Sequence, residues 1–245
     1  MTTALAGNGY LQTLARPSAT LRLEWDSWET YLRSAARQSQ SLAHNIRREI
    51  RRAHREGLTI GEWNPAETPG AELCRLMAQH EQNLNNRAWR FQPGLLERLS
   101  QSLGTDCRVL VATSATALQG TIVVMVSGKR GYVQYPGLVA RADRADFTYF
   151  NLVYYEPIRI GISLGLESIA YGNGAYQAKI RRGCTVRANH LYFRPRNPLL
   201  RSVLRSPGVS HRRILERKYA AFLQATPFSN ISSRSHAHPA HERAS

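Results

Sequence analysis

The sequence predicts an α+β fold with a central, mainly antiparallel sheet, flanked by helices and preceded by an N-terminal helical arm. Two observations support this prediction. Apolar residues recur at helical spacing before residue 104, whereas 108–138 consists of three β-rich runs separated by glycines. The 245 residues, 42% of them apolar, are sufficient for one sizeable core with accessory helices.

The N-terminal arm is predicted at 25–57, after a short and flexible lead-in at 1–24. Asp26 and Glu29 fit a capping box at its start, apolar residues then recur at helical spacing, and Gly57 supplies the stop. The opposite side of this helix carries five arginines: Arg47, Arg48, Arg51, Arg52 and Arg55. Because arginines four residues apart repel each other, this side predicts a negatively charged partner.

The main domain is predicted at 58–195, with elements in an order that fits a central sheet. Pro157 is expected to kink the helix that contains it. In chain order the predicted elements are helices at 71–89 and 94–103, strands at 108–113, 121–127 and 132–138, a helix at 149–164, and strands at 167–171 and 189–193.

The C-terminal end is predicted as a basic extension at 196–225, with an amphipathic helix at 210–224, followed by a disordered tail at 226–245. The tail is rich in Ser, His, Ala and Pro. Its histidines have no partners on a rigid element, so we expect no metal site.

Charge is the most unusual property of the composition, because 33 basic residues against 17 acidic ones give a net charge of +16. Residues 33–55 hold +6 and residues 179–218 hold +11, which leaves −1 for the remainder. A near-neutral body with two basic segments is typical of a protein that binds a polyanion. The alternative is an arginine-rich surface without a partner, but a general compositional bias would spread the charge evenly.

The sequence excludes several classes of protein. No apolar run is long enough to span a bilayer and the start lacks the pattern of an export signal, so we expect a cytoplasmic protein without membrane insertion. Cys74, Cys107 and Cys184 form neither a metal pattern nor a disulfide framework and are expected as reduced, buried thiols. The common catalytic signatures are missing, which favours chemistry by positioning and electrostatics.

A family resemblance is carried by the second half of the chain. The segments are Tyr154-Tyr-Glu-Pro-Ile-Arg159, then Gly165-Leu, then Tyr171-Gly-Asn-Gly-Ala-Tyr-Gln-Ala-Lys-Ile-Arg-Arg-Gly183. They resemble the closing half of a GNAT-superfamily acyltransferase domain, in the branch related to Fem-type aminoacyl-tRNA-dependent transferases. In that branch an arginine-dense helix also precedes the domain. The resemblance covers roughly residues 26–195 and implies a GNAT-like fold.

The donor that this resemblance implies is an aminoacyl-tRNA, and no cofactor is expected. Coenzyme-A-dependent members hold the pyrophosphate with a glycine-containing loop, but the corresponding stretch 139–148 contains two aspartates and no glycine. The two basic segments agree with an RNA-borne donor. Two alternatives remain: an acyl-coenzyme-A-dependent N-acyltransferase of the same fold, and a catalytically inactive, RNA-binding GNAT module.

The resemblance also assigns roles to cations. Lys179 matches the lysine of the family's final motif, which implies a cation that stabilises the tetrahedral oxyanion or the departing ribose oxygen. Arg181, Arg182 and Arg187 are expected to bind RNA phosphates, together with the five arginines of the arm. The alternative for each is an ordinary solvated side chain.

Aminolysis of an ester also needs a group that accepts the proton of the amine. Asp146, Tyr149 and Glu156 are the candidates, although Asp146 equally fits a helix N-cap and Glu156 fits an ion pair with Arg159.

The remaining candidates line the reacting groups. Tyr135 and Tyr154 are candidates for the acyl pocket, and Tyr135 is counted among the catalytic residues. Pro136-Gly137 predicts a bulge that aims a main-chain N–H at the carbonyl oxygen. Trp89 and Arg87 are candidates to face the acceptor. Ordinary packing is the alternative for the aromatic residues.

The preferred acceptor is a small-molecule amine of specialised metabolism, which would leave the reaction as an amide. A peptidoglycan precursor is the alternative acceptor.

Overall fold

The computed structural model forms two compact units. It describes residues 8–86, 88, 92, 94–115, 117–139, 147–197, 199 and 218–224. Of these, the terminal unit holds 8–20 and 172–224, and the central unit holds 21–171. No helix within the described ranges is both long and apolar enough to cross a membrane.

The central unit is built on a sheet with mainly antiparallel pairing. Strand β3 pairs with β2 on one side and with β4 on the other, and β4 then pairs with β5. The pairing of β5 with β6 is parallel. The bounds are β2 Leu58–Glu62, β3 Cys107–Ser114, β4 Ala117–Ser127, β5 Arg130–Leu138 and β6 Ser168–Gly172. The predicted α+β class is therefore confirmed.

Helices of the central unit cover both faces of this sheet. They are α1 Trp28–Gln38, α2 Gln40–Arg55, α3 Gly70–Asn85, α4 Leu95–Leu103, α5 Thr148–Phe150 and α6 Glu156–Ser163. A π-helical turn, Asn151–Tyr155, joins α5 to α6. It ends two residues before Pro157, at the place where the sequence predicted an irregular helix.

The core on one face of the sheet lies under α3 and α4. It consists of Leu73, Met77, Leu96, Cys107, Val109, Val111 and Val123. Since side chains alternate along a strand, the buried Leu110 and Ala112 of β3 lie on the opposite face. On that face, a Cβ atom at Gly120, which pairs with Ala112, would lie 2.9 Å from Leu152 of the π-helical turn.

The arm consists of two helices rather than the single one predicted. Ser39 is extended, with φ −162°, and it ends α1 before α2 begins. The sequence around it, Gln38-Ser-Gln-Ser41, contains serines that favour helix ends over helix interiors. The cap is also different, because Ser27 and Thr30 form the capping box that was assigned to Asp26 and Glu29.

Strand β2 lies between the arm and the helix predicted from residue 71, where the sequence predicted no element. This strand has five residues, of which Gly61 and Glu62 are of types that are rare in strands. The local sequence is therefore too short and too weakly apolar to predict a strand. Its pairing with β3, from Leu58 opposite Ser114 to Glu62 opposite Leu110, is a long-range contact that local pattern does not report.

The terminal unit contains strand β7 Thr185–Phe193, helix α7 Tyr176–Ile180, a further helical stretch at 218–223 and residues 11–20 of strand β1. Strand β1 spans Leu11–Arg22, and its last two residues belong to the central unit. β1 pairs antiparallel with β7 from Leu11 to Thr20. Tyr176 packs between Tyr219 and Phe222, with ring centroids 5.5 and 5.2 Å away.

The flexible lead-in predicted at 1–24 is wrong, because β1 occupies half of it. Leu14, Ala19 and Leu21 are buried along this strand. An irregularity in the β1–β7 register between Ala15 and Ser18 interrupts the alternation, which hides the strand in the sequence. The basic extension and the tail lie mostly outside the described residues, as does all of the predicted helix at 210–224 before residue 218.

The close packing of α3 on β5 gives the first prediction. A Cβ atom at Gly137 would lie 2.9 Å from the main-chain nitrogen of Met77, whereas one at Gly61 meets nothing within 4 Å. We expect Gly137→Ala to lower the free energy of unfolding by about 1–3 kcal/mol in urea denaturation. Gly61→Ala is the matched control and is expected to change it by less than about 0.5 kcal/mol. Equal effects would contradict the close packing at Gly137.

Candidate functional site

Strand β5 has the bulge that the sequence predicted near Pro136-Gly137. Thr121 of β4 pairs with Gly137 and Val123 pairs with Gln134, so Tyr135 and Pro136 together oppose one residue of β4. Tyr135 has φ 54°, in the left-handed region that non-glycine residues rarely adopt. The side chain of Tyr135 packs against the core cluster under α3 and α4. The structure therefore gives this tyrosine a packing role in addition to the bulge.

The bulge lies where β5 and β6 separate. Their parallel pairing covers three residue pairs and ends at Tyr132 opposite Ala170, although β5 continues to Leu138. The edge of β5 beyond Tyr132 thus has no pairing with β6. An unpaired strand edge offers main-chain N–H groups to a carbonyl oxygen, which is the chemistry that an acyl-transfer site requires.

Three aromatic residues cluster around Tyr154. Its hydroxyl lies 3.2 Å from that of Tyr149, and the ring centroids of the two are 5.6 Å apart. The Tyr171 ring lies 5.1 Å from the Tyr154 ring, and Phe150 packs against Tyr149. Tyr154 is fully buried, whereas Tyr149 is half-buried. Of the two tyrosines predicted to bind substrate, only Tyr149 is thus accessible.

Glu156 forms the ion pair that the sequence offered as its alternative role. Its Oε2 lies 3.3 Å from Nη1 of Arg159. The Arg159 guanidinium in turn lies 4.4 Å from the ring centroid of Trp28, so this carboxylate is tied into the contact between α6 and α1. The pair supports a structural role for Glu156.

The arginines of α2 all face solvent. Arg47, Arg48, Arg51, Arg52 and Arg55 are exposed. Arg52 pairs with Glu56 at 3.5 Å and lies 5.7 Å from the ring centroid of Phe147. No acidic residue within the described ranges pairs with the other four arginines. A shallow depression of about 310 Å³ is lined by Arg52, Arg55 and Glu56.

Glu49 fixes the orientation of α2, and sequence reasoning missed it. Its side chain is 9% exposed and accepts a hydrogen bond from the hydroxyl of Tyr155, which is fully buried in the π-helical turn. The amide of Asn151, also in this turn, donates to the main-chain oxygen of Glu49 at 3.4 Å. A signal was present, because Glu49 follows the buried Ile46 by three residues and precedes the buried Ala53 by four.

In the terminal unit, Lys179 is buried in a tight turn. Its ammonium donates to the carbonyl oxygens of Asn173 at 2.9 Å and Gly172 at 3.3 Å. The turn has positive φ at Gly172, Gly174 and Ala175. The two glycines adopt this conformation freely, whereas Ala175 is strained in it, so the lysine helps to hold a turn that contains one strained residue. Burial lowers the pKa of Lys179 to about 8. The predicted alternative, an ordinary surface lysine, is wrong.

The other arginines of the terminal unit divide into two kinds. Arg181 and Arg187 are exposed, as a phosphate ligand must be. Arg182 is 5% exposed and its Nη1 donates to the main-chain oxygen of Ala178 at 3.0 Å. Its burial removes Arg182 from the predicted RNA-binding surface, because its guanidinium is used inside the fold.

No thiol is activated as a nucleophile. Cys107 and Cys184 are buried and Cys74 is half-buried, and all three are free. Desolvation by burial raises the pKa of each, for Cys184 to about 12. Three predicted site residues, Asp146, Trp89 and Arg87, lie outside the described residues.

Comparison with known structures identifies the fold. The chain is similar to the C-terminal domain of a putative lysylphosphatidylglycerol synthetase from Agrobacterium fabrum, with a TM-score of 0.58 and 15% identity over 85% of this chain and 71% of that one. It is similar to L-PGS from Bacillus licheniformis, with a TM-score of 0.57 and 13% identity over 82% and 68%. It is also similar to FemX, with a TM-score of 0.57 and 11% identity over 82% and 70%. At these identities the likeness shows a shared fold.

The family follows from the sequence itself. Residues 3–230 match the FemAB-like family, described as peptidoglycan biosynthesis and recognition, so the chain belongs to that family. No curated protein sequence matches it significantly. This match confirms the predicted resemblance to Fem-type acyltransferases, and membership of the family makes the chain an acyltransferase.

The burial of Lys179 gives the second prediction. Its pKa of about 8 lies below the usual 10.5, so the unfolded chain binds more protons than the folded one between these values. The stability of the wild type should therefore rise with pH in this window, by on the order of 1 kcal/mol per pH unit, relative to Lys179→Met. Chemical denaturation at a series of pH values measures this difference.

Lys129→Met, which removes a lysine that is 71% exposed, is the matched control for the loss of a lysine from the unfolded chain. A difference between the wild type and Lys179→Met that stays constant from neutral to alkaline pH would show that the ammonium is not desolvated.

Proposed function

We propose that the protein transfers an aminoacyl group from aminoacyl-tRNA to the amine of a small acceptor and so forms an amide bond. The amine nitrogen attacks the ester carbonyl, the C–N bond forms, and the C–O bond to the terminal ribose of the tRNA breaks. The amine loses a proton and the ribose oxygen gains one. No redox partner or cofactor is needed for this exchange.

The observation that carries this proposal is the arginine face of α2. Five exposed arginines lie within three turns of one helix, and Glu49, the acidic residue among them, is buried on the opposite side. Arg52 pairs with Glu56, but the other four arginines have no acidic partner among the described residues. Charge at this density is stabilised by phosphates, and RNA offers phosphates at regular spacing. Because charged tRNA is found in the cytoplasm, we expect the reaction to occur there.

The bulged edge of β5 supports the chemical part of the proposal. The edge of β5 that is not paired with β6 is proposed to supply main-chain N–H groups to the oxyanion that forms when the amine attacks the ester. The hydroxyl of the half-buried Tyr149, 3.2 Å from that of Tyr154, is proposed to relay the proton to water.

Lys179 is not proposed to contact the donor, because its ammonium is buried and donates to the carbonyl oxygens of Asn173 and Gly172, as the guanidinium of Arg182 does to that of Ala178. Its proposed role is to hold the turn that contains Gly172 and Asn173.

The acceptor is the least constrained part of the proposal. A small amine of specialised metabolism is the acceptor we propose, because the reaction requires only an amine nucleophile. The family is described by peptidoglycan biosynthesis and recognition. One structural relative is named as a putative lysylphosphatidylglycerol synthetase, and another is FemX. A peptidoglycan precursor and an anionic lipid are therefore the competing acceptors.

The identity of the donor gives the third prediction. With total tRNA charged with radiolabelled amino acids, label should move to added amines, and RNase treatment before mixing should abolish this transfer. Each competing acceptor is added in a parallel reaction. Transfer from acyl-coenzyme A that survives RNase would instead indicate the coenzyme-A-dependent alternative, and RNA binding without any transfer would indicate an inactive binding module.

The arginine face gives the fourth prediction. The measured quantity is the slope of the logarithm of the observed tRNA association constant against the logarithm of the salt concentration. Arg47→Ala combined with Arg51→Ala should make this slope shallower by about one to two units, because a protein that neutralises fewer phosphates releases fewer counterions. Fluorescence anisotropy over a salt series measures the slope.

The control is Arg75→Ala combined with Lys129→Ala, which removes the same charge from exposed positions that are paired with Glu72 and Glu167. If both double variants flatten the slope equally, the effect is one of net charge and α2 is not the binding surface.

A further inference from the structure

The described residues of the terminal unit carry positive charges only, in contrast to those of the central unit, which carry both signs. The terminal unit's described residues include eight lysines and arginines and no aspartate or glutamate. Lys179 and Arg182 are buried, and the other six are exposed: Arg16, Arg181, Arg187, Arg194, Arg196 and Lys218. A folded surface with this excess of cations and no acidic residues of its own favours an anionic partner.

The β1–β7 ribbon arranges part of this charge. Ala15 pairs with Asn189 and Ser18 pairs with Arg187, so Arg16 and Pro17 of β1 oppose a single residue of β7. This is a bulge, and bulges change the direction in which a strand projects its side chains. Arg16 is exposed within the bulge, and Arg187 lies at the first pair beyond it.

The bulge is held by side chains of the same unit. Asn189 donates through its amide to the main-chain oxygen of Arg16 at 3.0 Å and accepts from the hydroxyl of Ser18 at 3.1 Å. The hydroxyl of Tyr176 donates to the main-chain oxygen of Pro17 at 2.9 Å. With both carbonyls of the bulge satisfied, the backbone that carries Arg16 is fixed before any partner binds.

The neighbouring positions on β7 fit a nucleic acid. Residues 187–191 are all exposed, and in Arg187, Ala188, Asn189 and His190 they offer polar or small side chains. A surface that docks on a bilayer needs a contiguous apolar face, whereas Leu191 is the one large apolar residue among the exposed residues 187–191 of β7. β7 is the last strand in the order of the sheet, so it is an edge strand with β1 as its neighbour. The wide, shallow minor groove of an RNA helix exposes its backbone to such a surface.

We propose that the β1–β7 ribbon is a phosphate-binding surface for double-helical RNA, with Arg16 and Arg187 as its central contacts. It is a second surface, on a different unit from the arginine face of α2. The proposal rests on the proposed function in that tRNA is the RNA expected to occupy it.

The experiment uses the full chain and fluorescently labelled, uncharged tRNA, with affinity measured over a salt series. Arg16→Ala combined with Arg187→Ala should flatten the salt slope by about two units, one for each phosphate that is no longer neutralised. Arg16→Lys combined with Arg187→Lys keeps both charges on the same backbone and should retain the wild-type slope. Arg75→Ala combined with Lys129→Ala removes the same net charge from the central unit and should also leave the slope unchanged.

Each other outcome overturns the proposal in a recognisable way. If the wild type binds tRNA with a steep slope and the alanine pair at the ribbon behaves like the central-unit control, the ribbon is not an RNA surface, but the proposed function stands. If the wild type does not bind tRNA in dilute buffer, both fail. If the alanine pair keeps its tRNA slope but no longer binds vesicles of equal parts phosphatidylcholine and phosphatidylglycerol, the ribbon is a membrane surface.

Discussion

The buried contact between Glu49 and Tyr155 determines the arrangement of the central unit. A carboxylate that leaves water needs hydrogen bonds to offset its desolvation, and the Tyr155 hydroxyl supplies one. Because Asn151 holds the main chain of the same residue, α2 is attached to the π-helical turn at one point by two different groups. With Glu49 turned inward, helical geometry directs the five arginines outward. One residue thus sets both the packing and the electrostatics of this helix.

The π-helical turn has a second role in the fold. Its Leu152 covers Gly120 on the sheet, and its Tyr154 forms the centre of the aromatic cluster that includes Tyr149 and Tyr171. A single five-residue segment therefore contacts the arginine helix, the sheet and the tyrosines. π-helical turns often occur at functional sites, since the wider turn redirects side chains that a regular helix would place elsewhere. Here it brings Tyr155 and Tyr154 to different partners.

The terminal unit combines a turn that contains a strained residue with many cations in one small fold. Lys179 holds the carbonyls of a turn with three positive φ angles, and Arg182 holds another carbonyl within its own helix end. Both cations are desolvated, and the described residues of this unit include no aspartate or glutamate. Main-chain dipoles therefore contribute stabilisation that acidic side chains usually provide. The exposed cations remain available to an external anion.

The sequence by itself determined the α+β class, the three central strands, the family and the concentration of charge on one helix, because each depends on local periodicity, composition or a contiguous motif. It also located the bulge in β5, since Pro136-Gly137 is a local signal. Only the tertiary structure decided that β1 and β2 are strands, that Arg182 is buried and Arg187 is not, and that Glu49 connects the arm to the π-helical turn. Most of these features depend on partners far away in the chain, such as β7 for β1 and Tyr155 for Glu49. Long-range pairing and burial leave no local pattern, so sequence reasoning has no access to them.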